Sequence, residues 1–236
     1  MEHMVSPDRI RENLHRVLAR IKAAAESSGR DPEKVTLVAV TKGRPVEAAR
    51  VLLEEGCVNL GENRAQELVE KMESLSAMQF PTKPLWHFIG HLQRNKVNLV
   101  VGKVRLIHSV DSLRLAQAIS RRALALGVTQ DVLIQVNVSG EPTKYGISPG
   151  ELVDFLRQAS ELPGISIRGL MTMAPVVSDP EATRPYFREL AKLLESTRGE
   201  LPHLSLDLLS MGMTQDFEVA VQEGANLVRV GTAIFS

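Results

Sequence analysis

The sequence predicts an α/β protein of the (β/α)8 TIM barrel class, with an extra N-terminal helix and a single domain over residues 1–236. Short apolar runs alternate with amphipathic helical patterns along most of the chain, which is typical of parallel strands joined by helices. Eight such runs are present, and a closed barrel of eight strands takes about 250 residues. An open doubly wound sheet is the alternative. It would need a glycine-rich turn after its first strand, and "TKGRP" holds one glycine.

The extra helix is predicted ahead of the first strand. Ser6 can act as its N-cap, Pro7 suits the first helical position, and Asp8 adds an early acidic residue. Gly29 is a suitable stop. The predicted apolar face of this helix consists of Ile10, Leu14, Val17, Leu18 and Ile21.

The remaining elements follow from short apolar runs and from helical spacing. The predicted strands are 35–41, 58–60, 85–89, 105–109, 132–138, 166–173, 206–210 and 227–231. The predicted helices between them are 45–55, 65–73, 95–101, 112–126, 150–160, 185–196 and 214–223. Glycines directly after two of these helices, Gly127 and Gly224, support their predicted ends.

Composition argues against several classes of partner. The 28 basic side chains balance the 28 acidic ones, whereas a nucleic-acid binder usually carries a basic excess. No run is apolar enough to span a bilayer, and the N-terminal stretch lacks the apolar core of a signal peptide. The one cysteine, Cys57, cannot form an intramolecular disulfide. We therefore expect a cytoplasmic protein with no nucleic-acid and no membrane partner.

In a parallel barrel the active site lies at the C-terminal ends of the strands, so the polar residues that end each apolar run should converge. In strand order these residues are Lys42; Asn63; His87 and His91; Ser109 and Asp111; Asn137 and Ser139; Met171 to Met173; Ser210, Gly212 and Thr214; Gly231 and Thr232. The loops after strands seven and eight often hold a phosphate in such barrels.

Two loops have the residue types of a phosphate site. Ser210–Met211–Gly212 and Gly231–Thr232 combine glycine, which allows close backbone approach, with hydroxyl groups. Thr214 is expected to cap the following helix. Either loop alone would be an ordinary turn, but both together favour a phosphate site.

Lys42 and Arg229 are charged residues in otherwise apolar runs. A lysine that is desolvated near another cation has a lowered pKa and suits a Schiff base with a carbonyl. Arg229 could instead lean outward to a surface carboxylate. A ligand that combines an aldehyde with a phosphate is pyridoxal 5′-phosphate; a phosphorylated sugar in a Schiff-base aldolase is the alternative.

Long segments of the chain resemble the pyridoxal phosphate homeostasis protein family, single-domain relatives of the alanine racemase N-terminal barrel. These segments include "VAVTKGRP", "GENRAQE", "WHFIGHLQRNK", "NVSGEPTKYGI" and "LSMGMTQDFEVAVQEGANLVRVGTAIF". The resemblance implies that Lys42 carries pyridoxal phosphate as an internal aldimine, with Asn63 beside the ring and Arg229 facing its nitrogen. It also implies that Ser210, Met211, Gly212, Gly231 and Thr232 bind the phosphate.

The resemblance further implies a carrier or regulator of pyridoxal phosphate without strong catalytic activity, with apo pyridoxal phosphate enzymes as possible recipients. The alternative is a pyridoxal phosphate-dependent amino-acid racemase, whose relatives bring a tyrosine base from a second domain. We expect no such domain and hence a monomer. The tyrosines are Tyr145 and Tyr186, and Tyr145 and Lys144 lie in a loop at the predicted mouth. Gly43–Arg44 after the lysine is a departure from the family pattern.

Overall fold

The computed structural model describes residues 5–80 and 82–236. Eight parallel strands form a closed barrel in which each strand pairs with its neighbours in sequence, and β8 closes against β1. The strands are β1 Thr36–Val40, β2 Asn59–Glu62, β3 Leu85–Phe88, β4 Leu106–Val110, β5 Gln130–Gln135, β6 Ile165–Met171, β7 Leu208–Ser210 and β8 Leu227–Val230. The predicted (β/α)8 barrel is confirmed.

Helices surround the barrel and join its strands. They are α1 Pro7–Ser27, α2 Val46–Glu54, α3 Ala65–Ser76, α4 Val97–Val100, α5 Leu113–Leu126, α6 Leu152–Ser160, α7 Arg184–Glu200, α8 Phe217–Gln222 and α9 Thr232–Phe235. Short 3₁₀ turns occur at Pro32–Lys34, Arg94–Lys96, Pro149–Glu151 and Pro180–Thr183. Within residues 5–80 and 82–236, no helix has the length and apolar character needed to cross a membrane.

Helix α1 is the predicted extra helix. The Ser6 side chain accepts a hydrogen bond from the Arg9 N–H at 3.3 Å, as an N-cap does. The buried face includes Ile10 and Leu14, but Leu18 was assigned to it wrongly, since it is 42% exposed. Helix α1 packs against α2, α8 and α9, and therefore covers the outside of the barrel where β8 meets β1.

Apolar residues fill the barrel interior in one cluster and the space between sheet and helices in another. The interior cluster consists of Val38, Leu106, Leu133, Met171 and Leu227. Strand residues alternate between the two faces of a sheet, so Lys42 continues the inward-facing positions Val38 and Val40. On β8, Arg229 continues the inward position of Leu227.

Two element boundaries differ from the prediction in ways that affect the site. Strand β5 ends at Gln135 rather than at residue 138, because the chain turns and Asn137 N–H bonds to Ile147 O at 2.9 Å. Helix α8 begins at Phe217, so Thr214 does not cap it. The Thr214 hydroxyl instead accepts a hydrogen bond from Ala233 N–H at 3.3 Å.

Candidate functional site

A cavity of about 380 Å³ opens at the C-terminal end of the barrel. Residues at the ends of β1, β2, β3, β5, β6, β7 and β8 line it. Five of the residues predicted for the site contribute to this lining: Lys42, Asn63, Arg229, Gly231 and Thr232. The convergence of strand ends therefore brings most of the predicted residues together.

Ser210, Met211 and Gly212 are not part of that lining. Ser210 and Met211 are completely buried. Gly212 adopts φ +90°, and a Cβ there would lie 2.6 Å from Ala220 Cβ. This glycine is therefore needed for a tight turn against α8, and a phosphate role for the three residues stays a prediction.

The next residues of the same loop do face the cavity, from Met213 to Asp216. Sequence reasoning named only Thr214 among them. The Asp216 carboxylate accepts a hydrogen bond from Met213 N–H at 2.6 Å, which closes the loop. Burial raises the pKa of Asp216, an effect that this hydrogen bond and the nearby Arg229 charge oppose.

Glycines bring the ends of neighbouring strands into close contact around the cavity. At Gly231 a Cβ would lie 3.1 Å from Val40 O, so β8 ends directly beside the strand that leads to Lys42. At Gly90 a Cβ would lie 2.2 Å from Asn63 O, which no side chain tolerates. The loops after β2 and β3 therefore touch through their backbones, and this contact positions Asn63.

Lys42 is exposed at the cavity wall. The expectation of a desolvated amine is wrong, because the turn after β1 carries Lys42 beyond the packed interior. The following residue, Gly43, adopts φ +65°, the left-handed region that glycine occupies at little cost. This conformation explains the glycine that sequence reasoning left unexplained.

A charged cluster, buried at Glu62 and Lys71 and half-buried at Glu67, holds the backbone on both sides of Lys42. We call it the loop brace, and it consists of Glu62, Glu67 and Lys71. Glu62 Oε1 accepts hydrogen bonds from Thr41 Oγ1 and from Lys71 Nζ, each at 2.6 Å. Glu67 Oε1 accepts from Gly43 N–H at 2.5 Å. Thr41 and Gly43 are thus fixed, while the Lys42 side chain between them is exposed.

Lys71 is the centre of the brace. Its ammonium donates to Glu62 Oε1, to Glu67 Oε1 at 2.8 Å and to the Thr41 carbonyl. Burial raises the pKa of Glu62, and the hydrogen bonds from Lys71 and Thr41 oppose that rise. Among the described residues Glu62 Oε2 has no hydrogen-bond partner. A buried ion pair of this kind is costly to break, because the remaining charge would be left uncompensated.

Arg229 lies at the base of the cavity and points into the barrel, so the alternative of an outward arginine is wrong. Its Nη1 donates to Ser210 Oγ at 2.5 Å and its Nη2 donates to Thr172 O at 2.9 Å. Burial lowers the pKa of Arg229 to about 10, and the charge of Asp216 opposes this shift. The guanidinium therefore stays charged at neutral pH.

Two buried histidines extend inward from Ser210. His108 Nδ1 lies 2.8 Å from Ser210 Oγ, and His108 Nε2 lies 3.0 Å from His87 Nδ1. His87 Nε2 lies 3.1 Å from Asn59 Oδ1. We call Asn59, His87, His108 and Ser210 the histidine chain. The sequence pattern pointed to His87 but not to His108, although both occupy inward positions of their strands.

Both imidazoles of this chain are neutral at pH 7. Burial is the largest cause that lowers the pKa of His87, to about 4, with the charge of Arg105 adding to it. Burial also lowers the pKa of His108 well below its usual value, and the neighbouring His87 and Arg229 act in the same direction.

The cavity mouth carries a second group of polar residues. His91 Nδ1 lies 3.1 Å from Asp111 Oδ2, and the Tyr145 ring stacks on the His91 ring with centroids 4.0 Å apart. His91 and Tyr145 both line the cavity. Lys144 pairs with Glu141 at 2.9 Å in the same loop as Tyr145.

The chain matches the family model described as "Alanine racemase, N-terminal domain" over residues 5–236. It is 45% identical to the pyridoxal phosphate homeostasis protein of Aquifex aeolicus, over 95% of this chain and 96% of that protein. The chain belongs to the pyridoxal phosphate homeostasis protein family. The family member from Escherichia coli K12 is 38% identical, over 96% of this chain and 95% of its own length.

Solved structures agree with this family assignment. An unknown protein from Bifidobacterium adolescentis superposes with a TM-score of 0.87 at 39% identity, covering 97% of this chain and 95% of its own. PipY from Synechococcus elongatus with PLP bound gives a TM-score of 0.81 at 35% identity, over 92% and 100% of the two chains. Alanine racemase from Clostridium difficile shares the fold at 20% identity and a TM-score of 0.73, and 56% of its chain is covered.

Proposed function

We propose that this protein binds pyridoxal 5′-phosphate covalently through Lys42 and acts as a carrier or regulator in pyridoxal phosphate homeostasis in the cytoplasm. One observation carries the proposal. A single cavity is lined by an exposed lysine amine, by a buried arginine, and by two strand-end loops that contribute Thr214, Gly231 and Thr232. The full-length similarity to pyridoxal phosphate homeostasis proteins, and to PipY with PLP bound, supports it.

The residues present fit this cofactor. The volume of about 380 Å³ falls in the range of small-molecule sites. The cofactor offers an aldehyde, a pyridine nitrogen and a phosphate, and when bound it can supply an electrophilic centre and an electron sink. Lys42 would take the aldehyde, Arg229 would donate to the nitrogen, and Asn63 would lie beside the ring.

For the phosphate we propose the backbone and hydroxyl of Gly231 and Thr232, together with Met213 and Thr214 of the β7 loop. All four residues line the cavity. The earlier candidates Ser210, Met211 and Gly212 would contribute indirectly. Ser210 would support Arg229, while Met211 and Gly212 would set the course of the loop.

We further propose that the protein has no strong catalytic activity. A guanidinium can only donate hydrogen bonds, so Arg229 favours an unprotonated ring nitrogen, which withdraws electrons weakly. Apo pyridoxal phosphate enzymes would be recipients of the cofactor, and the protein would act as a monomer without nucleic acid. These partners follow from the proposed carrier role.

One observation favours a second candidate, a weak pyridoxal phosphate-dependent amino-acid racemase. His91, paired with Asp111, and Tyr145 line the same cavity and could accept or donate a proton. Deuterium exchange at the α-carbon of alanine in heavy water separates the two candidates. The carrier predicts slow exchange, whereas turnover of about 1–1000 per second would establish an enzyme.

Titration of the purified protein with pyridoxal phosphate tests the proposal. Wild-type protein should develop a visible absorption band that Lys42→Ala abolishes. Lys103→Ala is the matched control, because Lys103 is exposed in the turn before β4, at the opposite end of the barrel. A wild-type protein that stays colourless at saturating cofactor would exclude both the carrier and the racemase and would favour an aldolase without cofactor.

A further inference from the structure

The histidine chain ends at Ser210, which contacts Arg229, and Arg229 fixes the direction of its hydrogen bonds. An arginine carries five N–H donors and no acceptor, so Ser210 Oγ must accept the hydrogen bond from Arg229 Nη1. The hydroxyl proton of Ser210 then needs an acceptor of its own. His108 Nδ1, at 2.8 Å, is its other hydrogen-bond partner among the described residues.

The same reasoning identifies the protonated nitrogen of both imidazole rings. If His108 Nδ1 accepts from Ser210, its neutral ring carries the proton on Nε2 and donates to His87 Nδ1. His87 then also carries its proton on Nε2 and donates to Asn59 Oδ1. Each hydrogen bond between Arg229 and Asn59 then joins one donor to one acceptor.

The reverse direction leaves a group unsatisfied. It would require His108 Nδ1–H to donate to Ser210 Oγ, which already accepts from Arg229. The Ser210 proton, completely buried, would then have no acceptor among the described residues. Since a buried donor without an acceptor is unfavourable, the forward direction is the stable one.

We propose that His108 and His87 are positioning residues whose Nε2–H tautomers form a one-way hydrogen-bond chain. This chain holds Ser210 Oγ as a fixed acceptor for Arg229 and thereby aims the guanidinium at an acceptor atom of the bound ligand. Within the described part of the protein, two of the five Arg229 donors are engaged, by Ser210 and by Thr172 O, and the side chain also lines the cavity. The identity of the ligand atom, the pyridine nitrogen, rests on the proposed function.

The first test needs no cofactor. Long-range ¹H–¹⁵N NMR of the full-length apo protein at pH 7 should show Nδ1 without a proton and Nε2 with one in both rings. The signals are assigned by single His→Gln substitutions. A proton on Nδ1 of either ring, in a neutral or a charged imidazole, would overturn the proposal.

The second test separates a positioning role from a merely structural one. His108→Leu removes the acceptor for Ser210, whereas His108→Asn keeps an oxygen near the Nδ1 position. In the apo protein the guanidinium hydrogens of Arg229 should exchange with solvent faster in His108→Leu than in wild type. Affinity for pyridoxal phosphate should fall about tenfold and the visible band should shift, and His108→Asn should recover most of both.

His203→Leu is the control for these measurements, because His203 is exposed in the loop before β7. A folded His108→Leu protein with the exchange rate, affinity and band of the wild type would overturn the positioning role. If His108→Leu does not fold, the positioning role is tested by the tautomers of the wild type and by the visible absorption band of His108→Asn. If the tautomers are as expected but neither the wild type nor any variant takes up the cofactor, the proposed function is wrong, whereas the proposed direction of the histidine chain is still supported.

Discussion

The loop brace and the histidine chain are both buried polar networks, and they differ in charge. The brace under Lys42 is ionic, with Lys71 between two carboxylates. The histidine chain under Arg229 is neutral and uses tautomers to order its hydrogen bonds. The brace fixes backbone atoms and leaves the Lys42 side chain exposed. The histidine chain fixes the Arg229 side chain and keeps it buried.

This difference suits the two tasks proposed for the site. A lysine that forms and breaks a covalent bond needs freedom to move, so only its neighbours are anchored. An arginine that recognises a single acceptor atom needs a constant direction. Lys71→Met, acid pH and Gly43→Ala test this difference between the two networks, with expected effects that decrease in that order.

The largest effect is expected for Lys71→Met. It leaves the buried Glu62 without its cation, and breaking a buried pair in this way costs about 3–5 kcal/mol of the free energy of unfolding. Urea unfolding monitored by circular dichroism at pH 8 measures this loss in the free energy of unfolding. The double variant Lys71→Met/Glu62→Gln should regain part of the loss. If the single variant matches wild type, the brace has no role in stability.

Acid should weaken the histidine chain. The folded-state pKa of His87 is about 4, below its usual value of 6.5. As the pH falls, the unfolded protein therefore binds the extra proton before the folded protein does. The stabilisation is therefore complete above pH 6.5 and is lost as the pH falls towards 4, by about 3 kcal/mol. Unfolding free energies at pH 7, 5.5 and 4 check this, and His87→Asn should reduce the dependence on pH. Equal slopes for the two proteins would contradict the role of His87.

A smaller effect is expected for Gly43→Ala. The space around Gly43 is open and its φ is +65°, so the cost is backbone strain alone, about 1–2 kcal/mol. Gly150→Ala is the matched control, since Gly150 also has open space around it but no positive φ. Thermal unfolding should show the difference between the two. Equal stabilities would show that the turn after Lys42 does not require a glycine at residue 43.

Much of the fold could be predicted because it depends on local pattern. Alternating apolar runs and helical spacing locate all eight strands within a few residues. The site residues Lys42, Asn63, Gly231 and Thr232 then follow from one rule, since parallel strand ends share one face of the barrel. Arg229 is predicted separately, as a charged residue inside an apolar run.

The remaining features depend on register and tertiary packing. Strand β7 has only three residues, so the sequence could not decide whether Ser210 or Thr214 faces the cavity. Lys71 lies on α3 and looks like an ordinary helical surface residue until α3 packs beside β2. The partner of His108 comes from β7, about a hundred residues away along the chain.

The most direct test of covalent binding at Lys42 is chemical trapping. The protein is incubated with pyridoxal phosphate, reduced with borohydride, digested and mapped by mass spectrometry. The added mass should appear on the peptide that contains Lys42 and should be absent from Lys42→Ala. Trapping on Lys71 or Lys144 instead, or no trapping at saturating cofactor, would contradict Lys42 as the site of attachment.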